Sequence, residues 1–308
     1  MRLLLAGILL MTLAACGKDY VWDGSLENLM RAQPEHFATV LEDPARYRVQ
    51  VLYTQIDRDA DNRPSSRTFS FRANPGEYFY PASTVKLPAG VLALEKLAAL
   101  EVAGLDRDTV MLAGDAEEGK SVGRYVREIL LVSDNQAFNR LYEFIGQQPL
   151  NERMRGMGFD GTRIMHRLEI AQSVEENRNA PRIRFVNGEQ VVYEQAPSYS
   201  ETDFTFEESI LLGKAEIIGD ELVERPKDFA VKNAYPLQAQ HDVIRALMFP
   251  DDVPAAQRFA LSDDDYAFLY RNMSGYPSDS GIEEYADPEQ FPEGYVKFFI
   301  YGDDAPVI

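Results

Sequence analysis

Alternating apolar and polar positions predict a β-hairpin in the first quarter of the chain. The run RYRVQVLYTQI, residues 46–56, places Val49, Val51 and Tyr53 on one side of an extended strand. A turn-rich stretch, DRDADNRPSS, separates this run from a second alternating run, RTFSFRA. We therefore predict two strands that are joined by a long loop.

Apolar residues at helical spacing predict several α-helices. The predicted helices cover residues 83–101, 121–132, 134–146 and 237–248, one that starts in SLENLMRA at Ser25, and one that Ser262 caps with Asp265 at its third position. Asn187-Gly188, between two β-rich runs, predicts a second hairpin. Because helices and strands are both present, the pattern predicts a mixed α/β (α+β) fold.

Composition and charge limit the possible partners. The chain has 308 residues, of which 45% are hydrophobic and 26% are charged, as in ordinary globular proteins. Its formal net charge is −19. A surface of that sign repels phosphates, so we exclude nucleic acid as a partner. We expect a monomer.

The N-terminus has the pattern of an export signal. Arg2 precedes an apolar stretch over residues 3–13, which is too short to span a bilayer as a helix. Leu13-Ala14-Ala15-Cys16 resembles the lipobox of bacterial lipoproteins, and Cys16 is the only cysteine in the chain. The resemblance implies a signal peptide over residues 1–15 and a lipid on Cys16.

The same resemblance implies a place in the cell. A lipid on Cys16 would anchor the chain to the periplasmic side of a membrane in the bacterial cell envelope. Gly17, directly after the cysteine, favours the outer membrane. Residues 16–45 are then predicted to form a tether and an N-terminal helix.

One stretch, YPASTVKLPAGVLALEKL, carries the first candidate chemistry. Ser83 and Lys86 are three residues apart, so on a helix their side chains lie on one face. Burial disfavours the charged form of a lysine, and a neutral Lys86 could accept the proton of the Ser83 hydroxyl. The backbone N–H of Ser83 could also stabilise an oxyanion. Alternatively, Ser83 is a helix cap and Lys86 is a solvated surface residue.

A second motif strengthens the catalytic interpretation. Ser133-Asp134-Asn135 follows the apolar run REILLV and begins another predicted helix. A Ser-x-x-Lys motif followed by Ser-Asp-Asn is the set found in class A β-lactamases and penicillin-binding proteins. The chain resembles the class A β-lactamase-like serine hydrolases over residues 46–299.

The resemblance implies a role for each matching residue. Ser83 matches the acylated nucleophile and Lys86 matches its base. Ser133 matches the hydroxyl that passes a proton to the leaving nitrogen, and Asn135 matches the amide that binds the substrate. Asp134 is expected to anchor the loop.

The deacylating base is less clearly marked. Arg167-Leu168-Glu169 resembles the start of the loop that carries the deacylating glutamate in class A enzymes. The asparagine expected shortly afterwards is missing, since Gln172 and Ser173 occupy that part of the chain. Glu169 is therefore the candidate base, and Glu175 and Glu176 are its competitors.

The third motif of the family does not appear. A Lys-(Ser/Thr)-Gly strand should follow the segment YVKFF, residues 295–299, but the sequence ends at Ile308. Lys120-Ser121 precedes Ser133 in a different element and is not equivalent. We therefore expect the catalytic domain, residues 46–308, to lack its C-terminal strands in this sequence.

The implied fold is an antiparallel sheet flanked by helices with an all-helical subdomain, the sheet being incomplete at the C-terminus. The implied function is a serine acyl-hydrolase that opens β-lactams through an acyl-Ser83 intermediate, without a cofactor. One alternative is a D-alanyl-D-alanine peptidase or penicillin-binding protein that acts on cell-wall peptides. Another is a binding lipoprotein without turnover.

The histidines and an aromatic cluster are the remaining candidates for binding residues. His36, His166 and His241 are widely spaced and have no cysteine partners, so no metal site is predicted. Tyr78, Phe79 and Tyr80 form an aromatic cluster before Ser83, and core packing is the first explanation for it, with substrate stacking as the alternative.

Overall fold

A computed structural model describes residues 25–291, which form two compact units that divide between Ala73 and Asn74. The signal peptide, Cys16 and the YVKFF segment lie outside the described residues, and the domain boundary between residues 45 and 46 stays a prediction. Among the helices of the described part, none is long and apolar enough to cross a membrane.

The N-terminal unit contains the predicted hairpin. Its elements are helices Ser25–Arg31 (α1) and Pro34–Glu42 (α2) and strands Val51–Arg58 (β1) and Pro64–Phe71 (β2). The two strands are antiparallel, with Val51 opposite Phe71. The Tyr53 and Phe69 rings stack across the pair at a centroid distance of 6.2 Å. The hairpin is confirmed, and β2 begins at Pro64 because polar residues continue the pairing beyond the alternating run.

The C-terminal unit contains the remaining helices and strands. Its helices are Lys86–Ala99 (α3), Val122–Leu131 (α4), Asn135–Ile145 (α5), Gln147–Gly156 (α6), Val174–Arg178 (α7), Leu237–Met248 (α8) and Asp263–Ser274 (α9). Its strands are Val110–Ala113 (β3), Lys120–Ser121 (β4), Asn179–Ala180 (β5), Ile183–Asn187 (β6), Gln190–Gln195 (β7), Ser198–Tyr199 (β8), Leu211–Leu212 (β9), Glu216–Ile218 (β10), Glu221–Val223 (β11) and Lys227–Asp228 (β12).

Side-chain caps fix the starts of three helices. Ser121 accepts a hydrogen bond from the N–H of Arg124 at the start of α4, and Asp134 accepts one from the N–H of Ala137 at the start of α5. Ser262 and Asp265 form a reciprocal capping box at α9. The predicted helices in these positions are confirmed, as is α8.

The core of this unit lies between α3, α4 and α5. Phe138, Leu141 and Phe144 of α5 are fully buried, as is most of α3. A Cβ atom at Gly90 would lie only 2.8 Å from Cδ1 of Ile129, so the glycine allows α3 to lie close against α4. This close packing holds the start of α3 in a fixed position.

A four-stranded sheet has the order β4-β3-β6-β7, and its strand pairs are antiparallel. Strands β6 and β7 form the predicted hairpin, with Gly188 at a φ of 61° in the turn. Strands β3 and β4 were not predicted, because runs of four and two residues are too short to show a period. The described residues confirm the predicted mixed α/β (α+β) fold with antiparallel sheets.

Candidate active site

A 3₁₀ turn, Ala82–Val85, leads directly into α3 and carries the candidate nucleophile. Lys86 is the first residue of α3, and its Nζ atom lies 3.0 Å from Oγ of Ser83. Only 2% of Lys86 is exposed, whereas Ser83 is partly exposed. The predicted contact between the two side chains is therefore confirmed, and the solvated position that was the alternative for Lys86 is wrong.

The Ser133-Asp134-Asn135 motif meets the same amine. Lys86 Nζ lies 2.6 Å from the carbonyl oxygen of Ser133, 2.9 Å from its Oγ, and 2.5 Å from Oδ1 of Asn135. A lysine at a helix N-terminus opposes the helix dipole, so these oxygen atoms, and not the helix, stabilise Lys86 there.

The geometry of the short connection between α4 and α5 makes these contacts possible. Ser133 has a φ of 61°, a left-handed conformation that is costly for a residue with a side chain. This turn directs both its carbonyl and its hydroxyl toward Lys86. Asp134 caps α5 through Ala137, as expected for a structural residue. Strained backbone of this kind is frequent at functional sites.

The four acceptors define what Lys86 can do in each protonation state. A lysine ammonium has three hydrogen atoms and no acceptor, so it can only donate to these oxygens. In its neutral form, the Lys86 amine has two N–H groups. They can donate to the Ser133 carbonyl oxygen and to Asn135 Oδ1, because these two oxygens carry no hydrogen and can only accept. The lone pair is then free for a hydroxyl hydrogen, either that of Ser83 or that of Ser133.

The backbone around Ser83 also provides a donor. Ala82 has a φ of 45°, so the chain turns sharply before the serine. In the described part of the chain, the N–H of Ser83 has no hydrogen-bond acceptor. It is therefore available to an oxyanion that forms next to Ser83 Oγ.

Glu169 lies on the loop that follows residues 164–168, with an exposed side chain and a φ of 58°. Within residues 25–291 its carboxylate makes no hydrogen bond or ion pair, and it does not join the Ser83 cluster. Arg167, two residues earlier, is buried and donates to Glu143 at 2.9 Å. The role of Glu169 stays a prediction.

The two competing glutamates are engaged elsewhere. Glu176 forms the capping box of α7 with Ser173. The hydrogen bonds that Ser173 donates lower the pKa of the Glu176 carboxyl. Glu175 accepts a hydrogen bond from Tyr199 and lies 3.7 Å from Arg178. These contacts give both residues a structural explanation.

Four buried asparagines, which the sequence did not single out, hold the backbone before Glu169. Their side chains form hydrogen bonds with the backbone of consecutive residues in the segment 164–168. Asn151 binds Ile164, Asn233 binds Met165 and His166, Asn177 binds Arg167, and Asn139 binds Leu168. Asn139 binds both the N–H of Leu168, at 2.8 Å, and its carbonyl oxygen, at 3.0 Å. One signal was available, since Asn139 follows Asn135 by one helical turn on the apolar face of α5.

The aromatic cluster before Ser83 divides into two roles. The Tyr78 hydroxyl donates to the Asn233 carbonyl oxygen at 2.7 Å, which ties the ring into the fold. Tyr80 is 40% exposed, and its ring lies against Phe229 at a centroid distance of 5.5 Å. Core packing thus explains Tyr78, whereas Tyr80 remains accessible near Ser83.

Other candidate groups lie apart from this cluster. Lys120 is paired with Glu128 at 2.7 Å. The His166 ring contacts the Arg167 carbonyl oxygen, and burial lowers its pKa. Among the described residues, no group of three histidine, cysteine, aspartate or glutamate side chains could hold a metal ion.

The site is thus a buried lysine between two serine hydroxyls, on a mixed fold with antiparallel sheets. The profile of the β-lactamase enzyme family, Beta-lactamase2, matches residues 35–192, about half of the chain. The chain belongs to this family. No curated protein matches its sequence.

Class A and other β-lactamases are among the solved structures with similarity to the chain. An ancestral class A β-lactamase is 15% identical, with coverage of 76% of this chain and 69% of that one, and a TM-score of 0.39. A β-lactamase from Burkholderia vietnamiensis is 16% identical, with coverages of 77% and 67% and a TM-score of 0.42. The chromosome-encoded β-lactamase of Vibrio parahaemolyticus is 13% identical, with coverages of 77% and 68% and a TM-score of 0.40.

Proposed function

We propose that this chain is a serine acyl-hydrolase of β-lactamase type that opens β-lactams through an acyl-Ser83 intermediate. The observation that supports this most strongly is the buried Nζ atom of Lys86 within hydrogen-bond distance of both Ser83 Oγ and Ser133 Oγ. The amine of Lys86 is then a base shared by a nucleophile and a second hydroxyl, an arrangement that suits transfer of an acyl group from an amide to a serine.

The acylation steps follow from this arrangement. The lone pair of neutral Lys86 accepts the hydroxyl hydrogen of Ser83 as Oγ bonds to the lactam carbonyl carbon. The carbonyl oxygen becomes an oxyanion, which the N–H of Ser83 stabilises. Lys86 then donates a proton to Ser133 Oγ while the Ser133 hydroxyl hydrogen passes to the lactam nitrogen, and the C–N bond breaks.

Asn135 has donors left for a substrate. Its Oδ1 faces Lys86, so the two hydrogen atoms of its amide nitrogen remain for a carbonyl oxygen of the bound molecule. Hydrolysis of the ester on Ser83 needs a base for water, and we propose Glu169 for this role because its carboxylate is exposed and unpaired in the described residues.

One observation favours a second candidate. In the described part of the chain, Glu169 does not contact Ser83 or Lys86, and an acyl-enzyme without a positioned water would persist. The alternative is a D-alanyl-D-alanine peptidase or penicillin-binding protein that acts on cell-wall peptides. For either activity, we propose that the chain is anchored through a lipid on Cys16 at the periplasmic side of a bacterial membrane.

Incubation with benzylpenicillin, followed by intact-mass measurement over time, separates these functions. A β-lactamase converts an excess of penicillin and shows only a transient adduct. A penicillin-binding protein keeps a stable adduct of one penicillin per chain. If the wild-type protein formed no adduct and consumed no penicillin, the proposed function would be wrong.

A further inference from the structure

A cleft of about 640 Å³ lies in the C-terminal unit, beside the segment that leads to Ser83. Residues 75–79 form one wall and residues 203–210 form a second wall, with Arg155 and Arg163 also in the lining. The described acylation chemistry uses none of these residues. The cleft is large enough for several residues of a peptide.

A row of aromatic rings connects this cleft with the nucleophile. Phe206 and Tyr78 line the cleft, and the row continues through Phe229 to Tyr80. Its successive centroid distances are 5.7, 5.5 and 5.5 Å. Tyr80 precedes Ser83 by three residues, which can span at most about 11 Å. A bound chain that follows the exposed edge of this row would lead from Ser83 into the cleft.

The two arginines differ in how much of their hydrogen-bonding capacity is used. Arg163 donates to the carbonyl oxygens of Phe204 and Thr205, and its guanidinium lies 3.9 Å from the Phe206 ring centroid. Arg155 is exposed, with its guanidinium 5.9 Å from the Phe204 ring. Across the described residues, no protein oxygen accepts a hydrogen bond from the guanidinium of Arg155.

The charges in the cleft have both signs. Burial and the neighbouring Arg155 lower the pKa of Arg163, so the two cations lie close enough to repel each other. Hydrogen bonds from Thr205 keep the pKa of Asp203 low, and Glu207 and Glu208 lie on the same wall. A bound carboxylate would relieve the repulsion between the arginines, and a bound ammonium group would complement the acidic wall.

We infer that this cleft is a binding site for the remote part of an extended peptide substrate that carries both carboxylate and ammonium side chains. The Arg155 guanidinium binds the carboxylate, and the acidic wall binds the ammonium group. This inference rests on the proposed acyl transfer at Ser83 and extends its substrates to peptides that are longer than a simple penicillin.

The test uses the Ser83→Ala protein, in which a peptide can bind but cannot be consumed. Its affinity for acetyl-Lys-Glu-Ala-Ala and for acetyl-Met-Gln-Ala-Ala, which keeps the C-terminal carboxylate but has no charged side chain, is measured by isothermal titration calorimetry. A second substitution, Arg155→Ala, is compared with Arg271→Ala, which removes another exposed arginine from α9. Benzylpenicillin acylation is measured separately in proteins that retain Ser83.

We expect Arg155→Ala to weaken binding of the charged peptide at least tenfold and to leave benzylpenicillin acylation within twofold of the wild-type rate. Arg271→Ala should change neither quantity. Equal affinities with and without Arg155, equal affinities for the two peptides, or no binding of the charged peptide would overturn the inference. If Arg155-dependent binding occurs but benzylpenicillin never acylates Ser83, the cleft is a peptide-binding site, and both the proposed activity and the role of the cleft in it fail.

Discussion

The Nζ atom of Lys86 lies 2.9 Å from Oγ of Ser133, a residue 47 positions further along the chain. The contact joins the start of α3 to the turn before α5, and it exists because Ser133 adopts a left-handed conformation. The same turn brings the Ser133 carbonyl oxygen to 2.6 Å from Nζ. The backbone of Ser133 and its hydroxyl can therefore be tested separately.

Ser133→Gly should remove the proton relay without disturbing the turn. Glycine adopts a positive φ without the steric cost that a side chain meets there, so the carbonyl contact with Lys86 is kept. We expect thermal stability equal to that of the wild-type protein and an acylation rate with benzylpenicillin at least 100-fold lower, as for a lost proton donor. Ser133→Ala serves as the control, because alanine also lacks the hydroxyl but still has a Cβ atom, so the steric cost of the positive φ is the same as for serine. A wild-type acylation rate in both variants would exclude Ser133 from the reaction.

The sequence was sufficient for the elements that carry the two motifs. Helical periodicity predicted the starts of α4 and α5 to within about a residue, and the Ser262 cap predicted the start of α9, because periodicity and capping are local properties of the sequence. The contact between Ser83 and Lys86 could also be predicted, since it depends only on spacing within one turn.

Contacts between distant segments could not be predicted from the sequence. Nothing local shows that Asn151, Asn177 and Asn233 meet at one irregular segment, because each comes from a different part of the chain. The short strands between residues 198 and 228 have the same limitation, since a strand of two or three residues depends on its partner and not on a period. Glu169 illustrates the consequence for function: its motif was visible, but its orientation depends on those contacts.

Asn139→Ala should destabilise the C-terminal unit. The substitution leaves the N–H and the carbonyl oxygen of Leu168 without their partner, and each buried unsatisfied polar group costs about 1–3 kcal/mol. We expect the free energy of unfolding in urea to fall by about 2–4 kcal/mol. Gln136→Ala, at an exposed position of the same helix, should change it by less than about 0.5 kcal/mol. Equal effects of the two substitutions would contradict the role assigned to Asn139.

Lys96 should make stability depend on pH above neutrality. Burial lowers the pKa of Lys96 from the ordinary 10.5 to about 8 in the folded protein, where its ammonium contacts the last carbonyls of α5. Between these two pH values the unfolded chain retains a proton that the folded chain has released, so the contribution of Lys96 to stability rises with pH.

The comparison with Lys96→Met isolates this effect from the titration of tyrosines. The free energy of unfolding of the wild-type protein, minus that of Lys96→Met, should increase from pH 8 to pH 10.5. It should be constant from pH 6 to pH 7, because both states of the wild-type chain are protonated there. A difference that stayed flat over the whole range would show that the pKa of Lys96 is not lowered by folding.

Glu169→Gln should lengthen the lifetime of the acyl-enzyme if Glu169 activates the deacylating water. We expect the benzylpenicillin adduct to persist at least tenfold longer while its rate of formation is unchanged, since loss of a general base slows only the step in which it acts. Glu175→Gln is the matched control, because this carboxylate lies shortly after Glu169, in α7, and already contacts Tyr199 and Arg178. An unchanged lifetime would leave water activation to another group and favour the peptidase alternative.

The most direct test of the account is the rate at which benzylpenicillin acylates Ser83 in the wild-type protein and in Lys86→Met, a variant of similar shape without an amine. The adduct is quantified by intact mass and located on the proteolytic fragment that contains Ser83, with Lys214→Met as the control for loss of an exposed lysine. We expect an adduct on Ser83 in the wild-type protein and in Lys214→Met, and a rate about 10²–10⁴-fold lower in Lys86→Met. An equal rate in Lys86→Met, or an adduct on another residue, would contradict it.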